Sequence, residues 1–141
     1  MTRETLTATL IAATIATTTL AAPVLTTPAA AGGSVSVSFV PQDQDQAQAL
    51  RAGLQIFSIV KGAKAGGHIG QNGFGNIAGI GQNGSGNLGI VHQDGNNHNG
   101  SIQQNGNNNA HGLFQFGDGA NGHVTQNGNG HTGATIQFGW K

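Results

Sequence analysis

Residues 71–92 read QNGFGNIAGIGQNGSGNLGIVH, and residues 93–114 read QDGNNHNGSIQQNGNNNAHGLF. Laid one above the other, Gln falls on Gln and Gly on Gly. Gln71, Gln82, Gln93, Gln104, Gln115, Gln126 and Gln137 recur every 11 residues without a slip. Two residues after each comes Gly73, Gly84, Gly95, Gly106, Gly117, Gly128 or Gly139. Even in a Gly-rich chain, a spacing held over this many units is structural, and fixed periods of this size are the signature of stacked arrays.

Two further places in the unit are restricted. The sixth holds Asn76, Asn87, His98, Asn109, Ala120 and His131; the tenth holds Ile80, Val91, Ile102, Leu113, Val124 and Thr135. Units also pair. Gln82, Gln104 and Gln126 are each followed by Asn-Gly, whereas the alternate copies run from Asn72 through Asp94 to Phe116 and Phe138. The rung is therefore 22 residues, made of two strands and two turns.

Side chains alternate across a strand, so Asn76, Ala78, Ile80, Gln82 and Gly84 share one face, as do Asn87, Gly89, Val91, Gln93 and Gly95. Where two such faces meet, small residues let the strands approach and aliphatic ones fill the space. A buried amide needs partners, and an identical amide about 4.7 to 4.8 Å above and below supplies them as a ladder. The seven Gln, with Asn76, Asn87 and Asn109, are the expected ladder residues. The seven Gly supply turns, because Gly accepts positive φ without a Cβ clash. The expected fold is an all-β repeat, a β-solenoid of stacked 22-residue strand-turn-strand rungs over 68–141, about three rungs in all.

The first half of the chain has a different character. Arg3 precedes a run of Ala, Thr, Leu and Ile from Leu6 to Leu25, and Ala29-Ala30-Ala31 offers a cleavage site, so 1–31 reads as a secretory signal peptide. The competing reading is a transmembrane anchor, which Thr17, Thr18, Thr19, Pro23 and Pro28 disfavour. In the N-terminal segment 32–67, Val35, Val37 and Phe39 alternate with Ser34, Ser36 and Ser38 as a short strand. A helix follows over 43–64, with Asp43 and Asp45 early, Lys61 and Lys64 late, and Ala47, Leu50, Leu54 and Phe57 on one face.

A solenoid leaves two edges of unpaired N–H and C=O groups, which monomeric solenoids cover with caps. The repeats end at Trp140-Lys141 with no cap in sight, so the C-terminal edge is a template for another copy and for cross-β growth. Asp94 and Asp118, beside turn Gly, either restrain association by stacking like charges or are ordinary turn formers.

The pattern Gln-x-Gly-x-x-Asn-x-Ala/Gly-x-Ile/Val-x-Gln over 71–141 resembles the curlin repeat of curli fibre subunits from Gram-negative bacteria. The resemblance implies a structural subunit of an extracellular amyloid fibre for biofilm matrix and adhesion. It also implies two partners besides self: a nucleator subunit and an outer-membrane secretion pore. His98, Ala120 and His131 depart from the Asn of the motif. By the same resemblance, 32–67 addresses the chain to its pore; alternatively, its helix caps the first rung.

Other function classes find less in the residues. Charged residues make up 7% and cancel to zero, so no nucleic acid or anionic partner is indicated. With no Cys there are no disulfides. The six His are spread over inward places (His98, His111, His131) and outward places (His68, His92, His123), so no metal cluster is expected. Two Asp, no Glu and only Ser85 and Ser101 in the repeats leave little for catalysis, and no cofactor or small-molecule substrate is expected. The second serious reading is a monomeric secreted β-solenoid that binds a ligand through the outward row Phe114, Phe116, Ile136 and Phe138, a row equally suited to packing under the helix or against a neighbouring fibre.

Overall fold

The computed structural model describes residues 32–62 and 66–141; the expected signal peptide, 1–31, lies outside the described residues. The described residues form one compact unit. The chain runs β1 (Gly33–Phe39), α1 (Gln44–Val60), β2 (Gly67–Asn72), β3 (Ile77–Asn83), β4 (Leu88–Asn96), β5 (Asn99–Asn105), β6 (Ala110–Asp118), β7 (Asn121–Asn127) and β8 (Thr132–Trp140). The first repeat strand starts one residue before the expected boundary at 68.

The repeats fold as the β-solenoid that their period predicts. Strands order as β1-β8-β6-β4-β2 in one sheet and β3-β5-β7 in the other. Within the solenoid every pairing is parallel and joins residues 22 apart, as in Val91↔Leu113 and Gln82↔Gln104. Between the sheets lie Val91, Ile102 and Leu113, fully buried, flanked by Ala78, Ile80 and Val124. The interior is narrow because the place facing these aliphatics is small. A Cβ added at Gly100 would lie 2.6 Å from Gln115 Oε1, and one at Gly89 would lie 2.9 Å from Ile80 Cγ2.

The helix is shorter than expected and sits elsewhere. Asp43 is its N-cap, accepting from Gln46 N–H at 2.8 Å, and Lys61 is the C-cap; Lys64 lies outside the described residues. Rather than capping the first rung, α1 lies on the outer face of the five-stranded sheet, against β4, β6 and β8. Leu54 is buried there with Leu88, Ile90 and Ala110, and Leu50, Phe57 and Phe114 pack around them. That outer face is apolar and needs cover, and each fully buried aliphatic side chain contributes about 1.5 to 3 kcal/mol. Arg51 clasps the stack from the helix, donating to Asn108 O at 2.5 Å and Gly86 O at 2.6 Å, two carbonyls one rung apart.

The C-terminal edge also departs from expectation. β1 pairs antiparallel with β8, setting Ser36 beside Gln137 and Val37 beside Ile136. The Val-Ser alternation of 34–39 matches the alternation of β8, so Ser38 meets Thr135 on the inner side at 3.2 Å. One sheet is thus covered at its C-terminal end, while among the described residues no strand lies beyond β7 in the other.

Candidate functional site

The Gln side chains form two directional ladders. In the larger sheet Gln71 Nε2 donates to Gln93 Oε1, Gln93 to Gln115 and Gln115 to Gln137, at 2.8, 2.8 and 2.7 Å. In the smaller, Gln82 donates to Gln104 and Gln104 to Gln126, both at 2.8 Å. A second bond from each buried amide crosses to the opposite sheet, Gln93 to Ile77 O, Gln104 to Leu88 O and Gln115 to Asn99 O. Gln93, Gln104 and Gln115 are wholly buried, and their amides find partners both along the stack and across it.

The Asn row works differently from the expected amide-on-amide ladder. Asn76, Asn87 and Asn109 each accept through Oδ1, at 3.0 Å, the backbone N–H of the residue one rung on. Their Nδ2 atoms donate to the turn carbonyls Gly95 O, Gly106 O and Gly128 O. Each Asn therefore staples a turn to the next rung, because its shorter side chain reaches backbone before it reaches another amide. His98 keeps half of this role: its Nδ1 accepts Ala120 N–H at 3.1 Å.

Six of the seven Gly named from the motif have positive φ, from 89° at Gly117 to 131° at Gly95. A side chain is excluded there as well by the next rung, since a Cβ on Gly95 would run into Gly117 O. Gly139 is the exception. It lies within β8 opposite Ser34, at the place that Gly95 and Gly117 hold near the ends of β4 and β6.

The two ends of the stack present opposite halves of this bonding. At the N-terminal end Ile69 is 43% exposed, whereas Val91, one rung on, is fully buried. Gln71 and Gln82 are exposed there, and among the described residues no donor reaches their Oε1 atoms. At the other end Gln126 Nε2 has no further Gln and reaches Ala110 O at 3.2 Å and His111 Nδ1 at 3.5 Å. Gln137 Nε2 finds Asn121 O at 3.1 Å and Ser36 Oγ at 3.4 Å.

Asp94 and Asp118 do not stack on one another: Asp94 is beside Phe116, and Asp118 beside Asn96. Asp94 accepts from Asn72 Nδ2. A hydrogen bond from Asn97, with Lys141 beside it, holds the Asp118 carboxyl below its usual range.

The His residues fall in distinct surroundings. His111 occupies an inward small-residue place, 3.1 Å from Thr135 Oγ1, and burial pushes its pKa down to about 4. His92 lies on the outer face against Phe57 and Phe116, where burial and then Lys61 lower its pKa. His123 stands exposed, with Ser101 Oγ on one ring nitrogen and Thr125 Oγ1 on the other. Of the outward Phe row, Phe114 meets Phe57 of the helix, while Phe116 and Phe138 stack at 5.5 Å beyond it.

The β1–β8 pairing and the Arg51 clasp carry no periodic signal in the sequence, and the crossing Gln bonds, though they recur with the period, end on backbone carbonyls that no residue type marks. Only the alternation at 34–39 announced a strand, without naming its partner. Comparison with family models, curated proteins and solved structures gives no match.

Proposed function

We propose that this chain is a structural subunit of an extracellular amyloid fibre of the curli kind, serving biofilm matrix and adhesion by self-assembly. The observation that carries this reading is the polarity of the Gln ladders, which expose Gln acceptors at one end and at the other leave Gln126 Nε2 with no further Gln to bond. A second copy stacked in the same sense offers Gln82 Oε1 to Gln126 Nε2 and hides Ile69. The buried amides have no catalytic geometry; they hold rungs in register, and their repetition along an axis is the chemistry of a cross-β fibre. By resemblance to the curlin repeat, export through an outer-membrane pore and a nucleator subunit belong to the same proposal.

The test is to release residues 32–141 from denaturant into neutral buffer and follow thioflavin fluorescence and fibre diffraction. A lag, then growth, with reflections near about 4.7 and 10 Å is the expected outcome. A soluble β-rich monomer that never elongates refutes it. One observation favours that second reading, a monomeric binding module: β1 already covers the β8 edge.

A further inference from the structure

The pairing of β1 with β8 has a register that bears on how a second copy is received, given the fibre reading above. Continuing the β6–β8 register by one rung places Gly67, Ile69 and Gln71 of an incoming copy on Gly133, Thr135 and Gln137. Those positions are taken by β1: Ser38 faces Thr135 and Ser36 faces Gln137. In the other sheet the same continuation places Ile77, Ile80 and Gln82 of the incoming copy on Asn121, Val124 and Gln126, and there the β7 edge is free. Between β1 and β7 lies an open groove of about 350 Å³, lined by Ser36, Ser38, His111, Val124 and Gln137, which is the interior of the half-rung that is missing.

An added copy therefore finds one of its two strand sites open and the other plugged. It cannot stack on top of the plug, because β2 and β3 belong to one rung, and an extra strand in one sheet alone would put them out of level. The plug is also the poorer occupant. Ser36 accepts from Gln137 at 3.4 Å, where Gln–Gln bonds in the stack are 2.7 to 2.8 Å. Val35 and Val37 remain 39% and 41% exposed. The incoming rung pairs in both sheets and buries Ile69, which β1 cannot do.

We propose that β1 is an exchangeable strand plug. β3 of a second copy pairs first with the free β7 edge, and β2 of that copy then displaces β1 from β8, with α1 left in place on the outer face. The plug lets one chain stay a closed monomer and still receive another at its C-terminal end.

The test locks the plug. In S38C/T135C the two thiols stand where the hydroxyls already touch, and a disulfide ties β1 to β8. Seeded from wild-type fibres, the oxidised chain is expected to lose elongation and, when mixed in, to block wild-type growth at the C-terminal end of the fibre, since it docks by its free N-terminal end and then offers no site. Dithiothreitol restores growth. Val37→Pro, which weakens β1 pairing without a cross-link, is expected to elongate unseeded with a shorter lag than the wild type. Oxidised chain that elongates as fast as reduced, or an unchanged lag in V37P, overturns the plug and leaves the fibre reading standing. Wild-type chain that never elongates removes both.

Discussion

Gln104 Nε2 donates to Gln126 Oε1 at 2.8 Å and also to Leu88 O at 3.0 Å, so a single buried amide joins two rungs and two sheets. Replacing it by Ala leaves an acceptor in each direction without its donor. Stranded buried groups cost about 1 to 3 kcal/mol each, and the vacated space adds to that, so Gln104→Ala is expected to destabilise by roughly 2 to 5 kcal/mol. Gln103, next in sequence, points outward and, among the described residues, its side chain bonds only Asn105 of its own strand. Gln103→Ala is expected to stay within about 0.5 kcal/mol. Urea midpoints of the two variants make the comparison; equal midpoints would refute the ladder.

His98 is a test of what the sixth place requires. Its ring accepts Ala120 N–H, the bond that Oδ1 of Asn makes in neighbouring rungs. His98→Asn keeps an acceptor in place and is expected to hold stability within about 1 kcal/mol. His98→Leu fills similar space but strands a buried N–H, and a loss of about 1 to 3 kcal/mol is expected. Should both variants melt together, packing rather than the hydrogen bond governs the position.

Glycines divide in the same way. Gly95 has φ 131° and faces Gly117 O of the next rung, so Gly95→Ala meets both backbone strain and a collision. Gly53 lies in the middle of α1 with nothing within 4 Å of its missing Cβ. Gly53→Ala is expected to stabilise by about 0.5 to 1 kcal/mol through helix propensity, and Gly95→Ala to destabilise by more than that. Thermal melts of the pair would show shifts of opposite sign.

The rung length and the inward faces were legible because the register is written in the period: residues 22 apart pair, whatever else the chain does. Partners outside the period were not. The strand at 33–39 was visible from its alternation, but its edge lies about a hundred residues on, at Gly133 to Trp140, and alternation does not name a partner. The apolar face of α1 was visible too. Its seat was legible only in part: packing of the outward Phe row under the helix was one reading, and Phe114 does meet Phe57, but Leu88, Ile90 and Ala110 lie one step out of the inward series, on the side the repeat leaves unspecified. The Asn row failed for a finer reason. Asn and Gln carry the same amide, but the shorter Asn side chain meets the turn carbonyl Gly106 O before it meets another Asn.

His111 gives the solenoid a pH dependence. It occupies a place that holds Gly89, Gly100, Gly122 and Gly133 in other half-rungs, and its pKa is lowered by burial from 6.5 to about 4. Between these values the unfolded chain binds a proton that the folded chain does not, so stability falls as pH drops through the window. Above 6.5 both states are neutral at this ring and nothing changes; below 4 both are charged and the loss levels off. The difference between the two states amounts to roughly 3 kcal/mol. Urea unfolding at pH 7 and pH 4.5 is expected to differ by most of this amount. His111→Gly restores the small residue of the repeat and is expected to remove that part of the difference, although it also loses the contact with Thr135 Oγ1 at both pH values. A pH difference in H111G as large as in the wild type would assign the effect to another group.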